Sequence, residues 1–188
     1  MSEAIEPQRD AFEALAMPHA RSLFGVARRI SGGAAEAEDL VQETYLRAYR
    51  TFNNFQAGTN ARAWLFTILY SIDKNRRRSV GRRPATSELD AMSDYETPEK
   101  ESGWGSHHDL LATLDNAEVG EQIVRAFDRL DDNARWSVLL VDVHGMTYEE
   151  AAEVMECPVG TIASKLFRAR KRLYDLLAPV ARERGYLA

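Results

Sequence analysis

Between Thr147 and Arg172 the chain reads TYEEAAEVMECPVGTIASKLFRARKR, and its polar side chains are of the types that pair with nucleic acid. Thr161, Ser164, Lys165, Arg168 and Arg172 fall on one side of a helix, with hydroxyls near its start and cations towards its end. Hydroxyls and long basic side chains in that order suit a helix in the major groove, its first turns at base edges and its last turns over phosphates. Val159, Ile162, Leu166, Ala169 and Leu173 recur at spacings of three and four on the opposite side, which predicts a buried stripe.

An element must hold that helix in place. Thr147 and Glu150 form a capping-box pattern, and Ala151, Ala152, Val154 and Met155 then give a short helix a small apolar face. Glu156-Cys157-Pro158 breaks it, since proline is poor inside a helix but tolerated at its first position. Two helices joined this way predict a helix-turn-helix. The alternative from pattern alone is an amphipathic helical hairpin with a solvated basic face.

A second group lies near the start. Asp39, Gln42, Glu43, Leu46 and Arg50 share the outer face of a helix over 35–52, whose inner stripe is Val41, Thr44, Tyr45, Ala48 and Phe52. Acid, amide and a leucine with no reason to be in water suggest a docking surface, against a solvated face with one stray leucine. The loop NNFQAGTN follows; its amides and threonine can pair with base edges and Phe55 can stack on an unpaired base, although turn residues also make ordinary connections. A helix over 61–78 packs Trp64, Leu65, Ile68, Leu69 and Ile72 inward. It ends in Lys74-Asn75-Arg76-Arg77-Arg78, followed by Arg82-Arg83, a cationic patch able to track phosphates.

Composition sets limits. The 188 residues are 45% hydrophobic with a formal charge of −5, so DNA contact must rest on local basic patches. A single cysteine, Cys157, excludes an internal disulfide and fits a reducing compartment. No apolar run approaches the ~18 residues of a membrane span, and no leader pattern opens the chain, which predicts a cytoplasmic protein. No nucleophile has a base partner, no glycine-rich phosphate loop occurs, and His107-His108 lack a second ligand pair, so neither enzyme, cofactor nor metal site is expected.

The expected fold is all-α: two small helical domains, 10–83 and 119–178, joined by an acidic flexible linker over 84–118. The linker carries nine acidic residues against Lys100 alone. In the first domain a helix over 10–30, which Pro18 kinks or whose start it delays, closes at Ser31-Gly32-Gly33. In the second, Val119, Ile123, Ala126, Phe127 and Leu130 make a helix, Asp131-Asp132-Asn133 separates it from another over 134–143, and residues after Tyr174 form a tail helix interrupted by Pro179.

CPVGTIASKLFRARKRL closely resembles the recognition helix of region 4 in the extracytoplasmic-function sigma factors, the bacterial transcription initiation subunits. EAEDLVQETYLRAYRTF is very similar to region 2 of the same family, whose members typically read close to DAEDLVQETFLRAW. Together the recognisable regions cover roughly residues 10–78 and 119–175. The resemblance implies that Asp39, Leu40, Gln42, Glu43 and Leu46 grip the clamp helices of the largest subunit of core RNA polymerase. It implies that Asn54, Phe55, Thr59, Asn60, Lys74, Asn75, Arg77 and Arg78 handle the −10 element, where the loop holds a flipped-out base. Thr161, Ser164, Lys165, Arg168 and Arg172 would read the −35 duplex, and an anti-sigma protein is a further expected partner. Two departures stand out: Tyr70-Ser71 where many members carry Arg-Asn, and Ala163 where a longer side chain is usual, so base preference does not carry over. The other readings are a free-standing helix-turn-helix regulator and a helical scaffold or antagonist of sigma signalling. Promoter-directed transcription with core polymerase separates them.

Overall fold

The computed structural model describes residues 5–56, 58–79 and 117–187, and no strand occurs among them. They divide into two compact units, one holding the residues up to Ser79 together with Glu149–Cys157, the other holding the rest. Most of the expected linker, and Arg82 and Arg83, lie outside the described residues.

The first unit begins with α1 (Ile5–Ala16), a 3-10 turn at Met17–His19 and α2 (Ala20–Ile30). A helix over 10–30, kinked or delayed at Pro18, was the expectation, and Pro18 sits in the turn. Its ring and missing N–H do not fit a helix interior, so the chain divides there. Next come α3 (Ala34–Thr51), a 3-10 turn at Phe52–Asn54 and α4 (Ala61–Ser79). Between α2 and α3 the Gly32 amide donates to Glu36 Oε2 at 2.7 Å, which satisfies a donor exposed by the start of α3 and places a carboxylate on its positive end.

The core of this unit is the meeting of α2, α3 and α4. Leu23, Val26 and Ala27 face Ala37, Leu40, Thr44 and Ala48, and Leu65, Phe66, Leu69 and Ile72 close it. Thr44 is the one polar side chain of α3 in this core, and it is satisfied internally, its hydroxyl donating to the Leu40 carbonyl at 2.7 Å. An aromatic cluster seals one end. Phe12 meets Tyr49 and Phe52 edge to face at 5.3 and 5.4 Å, the arrangement the ring quadrupoles favour.

The second unit contains α5 (Ala117–Asp128), α6 (Asp132–Val138) and the long α8 (Val159–Glu183). Ala117 and Glu118, expected in the linker, are helical. Asp131, expected as a separator, is the N-cap of α6, its carboxylate accepting from the Ala134 amide at 2.9 Å. The helix therefore starts two residues earlier than its apolar pattern, and it ends in a π turn, Leu139–Val143, closed by Gly145 at φ 64°. Trp136 is completely buried where α6 packs on α8, as are Ile162 and Leu166 from the other side and Leu140 in the π turn. Val159, assigned to the same stripe, is instead 40% exposed, because it lies in the first turn of α8, ahead of the packed stretch.

Pro179 does not interrupt α8, which runs through it to Glu183. Proline removes only its own N–H bond to the carbonyl four residues back, here that of Asp175, which is an exposed residue. The short α7 (Tyr148–Met155) buries Ala151, Ala152, Val154 and Met155, and begins directly after Thr147. Glu156 then takes a left-handed conformation, φ 52°, while the Cys157 amide donates to the Ala152 carbonyl at 3.1 Å and Pro158 caps α8 in extended backbone.

Candidate nucleic-acid and protein interfaces

On α3, Asp39, Gln42, Glu43 and Leu46 are all exposed. Leu46 stands 58% in solvent, a large apolar side chain on the surface of the described residues. Leu40 does not belong with them. It is 3% exposed and faces α2 and α4, so it supports the surface from behind rather than forming part of it. Helical periodicity places Leu40 beside Ala37, Thr44 and Ala48, and that signal was available in the sequence. Glu43 pairs with Arg76 of α4 at 2.5 Å, which joins this face to the basic end of α4.

The loop between α3 and α4 is partly committed to its own structure. Asn54, Thr59 and Asn60 are exposed. Asn60 accepts from the Ala63 amide through Oδ1 at 3.1 Å and so caps α4, and the Thr59 hydroxyl donates to the Gln56 carbonyl at 2.8 Å. Gly58, at φ 91°, makes the turn that a side chain would oppose. Phe55 was expected to be exposed but is half-buried: its ring stacks on Phe52 at 6.2 Å and 8°, and meets Trp64 at 4.8 Å. Apolar neighbours on two sides hold it, and stacking on a base requires it to leave them.

At the end of α4, Asn75 and Arg78 project into solvent. Lys74 lies over the Tyr70 ring, 5.5 Å from its centroid. Arg77 is not at the disposal of a phosphate in this structure. Its guanidinium meets Asp73 at 2.8 Å, with side chains only 15% and 8% exposed. Asp73 went unremarked in the sequence, although an acid four residues before an arginine is a legible helical pair. Tyr70, one of the two departures from the family pattern, is buried, and burial pushes its phenol above the ordinary range. The departure therefore places an aromatic ring in the packing of α4.

On α8, Ser164, Arg168 and Arg172 are exposed, and Thr161 and Lys165 are half-buried. Ser164 Oγ donates to the Thr161 carbonyl at 3.0 Å, an exchangeable local bond that leaves the hydroxyl oxygen able to accept. Arg170 was missed within the RARKR run because its partner is 28 residues upstream. Its guanidinium donates to both oxygens of Asp142, at 2.5 and 3.2 Å, and reaches the Tyr148 hydroxyl at 3.4 Å. These bonds, the Asp142 hydrogen bond foremost, raise the Arg170 pKa further and fix α8 to the π turn. Phe167 is 64% exposed on the same helix, away from the line of Thr161, Ser164, Arg168 and Arg172.

No group of side chains able to hold a metal ion, and no helix long and apolar enough to cross a membrane, occurs among the described residues. One helical region ends α4 in a run of cations and the other carries a helix-turn-helix with cations along α8, which together are the features of a DNA-binding protein. Residues 15–83 match the family model for sigma-70 region 2 and residues 120–173 that for sigma-70 region 4. The chain is 30% identical over 184 residues to the RNA polymerase sigma-H factor of Pseudomonas aeruginosa, covering 92% of this chain and 89% of that one. It is 32% identical to the ECF RNA polymerase sigma-E factor of Escherichia coli over 84% of this chain and 81% of that one. Among solved structures, the sigma factor RpoE in complex with the anti-sigma factor NepR from Bartonella quintana matches with a TM-score of 0.67 and 31% identity, over 89% of this chain and 97% of that one.

The chain belongs to the sigma-70 family of RNA polymerase sigma factors, in its extracytoplasmic-function branch. It is an alternative sigma factor that binds core polymerase and promoter DNA and directs promoter-specific initiation. The region 4 match runs unbroken through α7 and α8, whereas the division into compact units groups Glu149–Cys157 with the first unit. Glu156, Cys157 and Pro158 form one continuous turn between the two helices, which agrees with the family boundary.

Proposed function

We propose that the two regions divide the work of initiation by residue. Asp39, Gln42, Glu43 and Leu46 form the polymerase-docking face of α3. The observation that supports it is Leu46, an exposed leucine whose face also carries two acids, an amide and Arg50. A central apolar anchor inside a polar rim is the usual anatomy of a protein interface. Asn54, Thr59, Lys74, Asn75 and Arg78 serve the −10 strand, with Asn60 shared between capping and contact, and Phe55 available only when it leaves Phe52 and Trp64. Thr161, Ser164, Lys165, Arg168 and Arg172 serve the −35 duplex.

On this reading residues 10–83 and 119–178 are the two functional domains, the protein acts by binding and not by catalysis, and it works in the cytoplasm, where polymerase and promoter are. The solved relative bound to an anti-sigma factor supports a regulator of that class as a further partner for this chain. The test is transcription from genomic fragments with core polymerase and the purified chain, wild-type or carrying Gln42→Lys with Leu46→Glu. Specific transcripts with the wild type and none with the variant are expected. Equal transcription by both refutes the docking face.

A further inference from the structure

Arg76 lies between Lys74 and Arg78 at the DNA-facing end of α4, yet its guanidinium is taken up by Glu43 on the polymerase-facing side of α3. Two residues from different functional surfaces, 33 positions apart, thus share one ion pair at 2.5 Å. The pair is open to solvent on both sides, with side chains 40% and 48% exposed. Such pairs are weak and exchangeable, so a competing charge can separate them. By contrast, Arg77 and Asp73 form a nearly buried pair within one helix that no macromolecular partner can easily reach.

We infer that Glu43 is a positioning residue for Arg76 and couples polymerase docking to DNA binding. In the free protein Glu43 neutralises one cation of the α4 patch. A docking face of Asp39, Gln42, Glu43 and Leu46 is complementary to a basic surface, and a basic group that engages Glu43 leaves Arg76 without its partner. Arg76 then becomes a phosphate contact. Linkage makes the effect reciprocal: DNA that captures Arg76 frees Glu43 for polymerase. The inference rests on the proposed assignment of the α3 face, and it adds that Glu43 acts on DNA affinity through Arg76 as well as on polymerase.

The probe is a fluorescein-labelled single-stranded oligo(dT), titrated with the full-length free protein over a series of KCl concentrations. Glu43→Gln is expected to tighten binding about two- to fivefold and to steepen the logarithmic salt dependence by about 0.7, the contribution of one extra phosphate contact on a single strand. Glu38→Gln, at an exposed acid on the same helix with no ion pair among the described residues, controls for the loss of a negative charge and is expected to shift affinity less, with the slope unchanged. Arg76→Gln should abolish the gain, so that Glu43→Gln with Arg76→Gln binds like Arg76→Gln alone. A gain from Glu43→Gln that matches Glu38→Gln, or that persists without Arg76, overturns the inference.

The second arm measures core polymerase affinity of the wild type and Arg76→Gln with and without oligo(dT). The oligonucleotide should strengthen wild-type association more than that of Arg76→Gln, and equal responses overturn the coupling. Failure of the docking assignment is seen separately, as unchanged core affinity of the Gln42→Lys, Leu46→Glu variant, because the oligo(dT) titration of the free protein involves no polymerase.

Discussion

Leu40 and Leu46 lie six residues apart on α3 and should fail in opposite ways. Leu40 is 3% exposed between α2 and α4, so Leu40→Ala removes most of a side chain from a packed core and leaves a cavity, at a cost of about 2–5 kcal/mol. For a domain of the size of the matched region 2, each kcal/mol lowers the melting temperature by about 4–8 °C, which puts the loss at about 8–40 °C. Leu46 is 58% exposed, and leucine and glutamate have similar helix propensities. Leu46→Glu should therefore change stability by less than about 0.5 kcal/mol. If Leu46 is an interface anchor, the same substitution costs at least about 2 kcal/mol in core binding, or roughly 30-fold in affinity. Thermal melts by circular dichroism and titration of labelled core polymerase read the two quantities. The reasoning is refuted if Leu40→Ala melts like the wild type, or if Leu46→Glu loses polymerase affinity only to the extent that it unfolds.

Asp73→Asn leaves the Arg77 guanidinium without its nearly buried carboxylate, and since Arg77 is near the end of α4 and can turn to water, the expected destabilisation is about 1–3 kcal/mol, read by urea unfolding. Glu156→Gly should stabilise the fold by about 1 kcal/mol, because the left-handed turn at φ 52° strains any side chain there, and unfolding midpoints measure it. Phe55→Ala should cost about 1–2 kcal/mol by opening the contact with Phe52 and Trp64, and Phe55→Leu should restore most of it, so a −10 defect present in both variants is a DNA effect and not a folding one. Arg168→Ala should relax preference at one or two −35 positions at a cost of about 1–3 kcal/mol. Arg172→Ala should weaken all sequences alike and flatten the salt dependence by about one unit, as competition between single-base variants at two salt concentrations would show.

Much of this fold was legible because helices advertise their buried faces by spacing. Ile162, Leu166 and Ala169 are buried as their period requires, and the turn at Glu156-Cys157-Pro158 falls where proline demands it. The misreadings have separate causes. Pro18 and Pro179 are the same residue type with different outcomes, a division of the chain at one and an unbroken helix at the other. A proline's effect depends on whether the helix around it is held by packing, as Ala178 is here at 5% exposure. Leu40 was carried onto the docking face by similarity when its own periodicity already placed it inside. Phe55 was read as a free aromatic because the ring it stacks on and the indole behind it belong to neighbouring elements that come together only in the folded chain.

The basic residues make the same point with consequences for function. A chain of net charge −5 binds DNA through the cations it leaves available, and the sequence shows how many cations there are but not which are already neutralised. In Lys74-Asn75-Arg76-Arg77-Arg78 the four cations look equivalent. In the structure Arg77 is locked to Asp73, Arg76 is held loosely by Glu43, and Arg78 is exposed with no ion pair among the described residues. In Arg168-Ala169-Arg170-Lys171-Arg172 the central arginine is tied to Asp142 and anchors the helix. The outer two remain exposed on the face that carries Thr161 and Ser164. Acidic partners thus hold some arginines of a basic run in the fold, while others of the run stay exposed. Replacing the partnered arginines should lower stability first, whereas replacing Arg78 or Arg172 should lower DNA affinity with the fold intact.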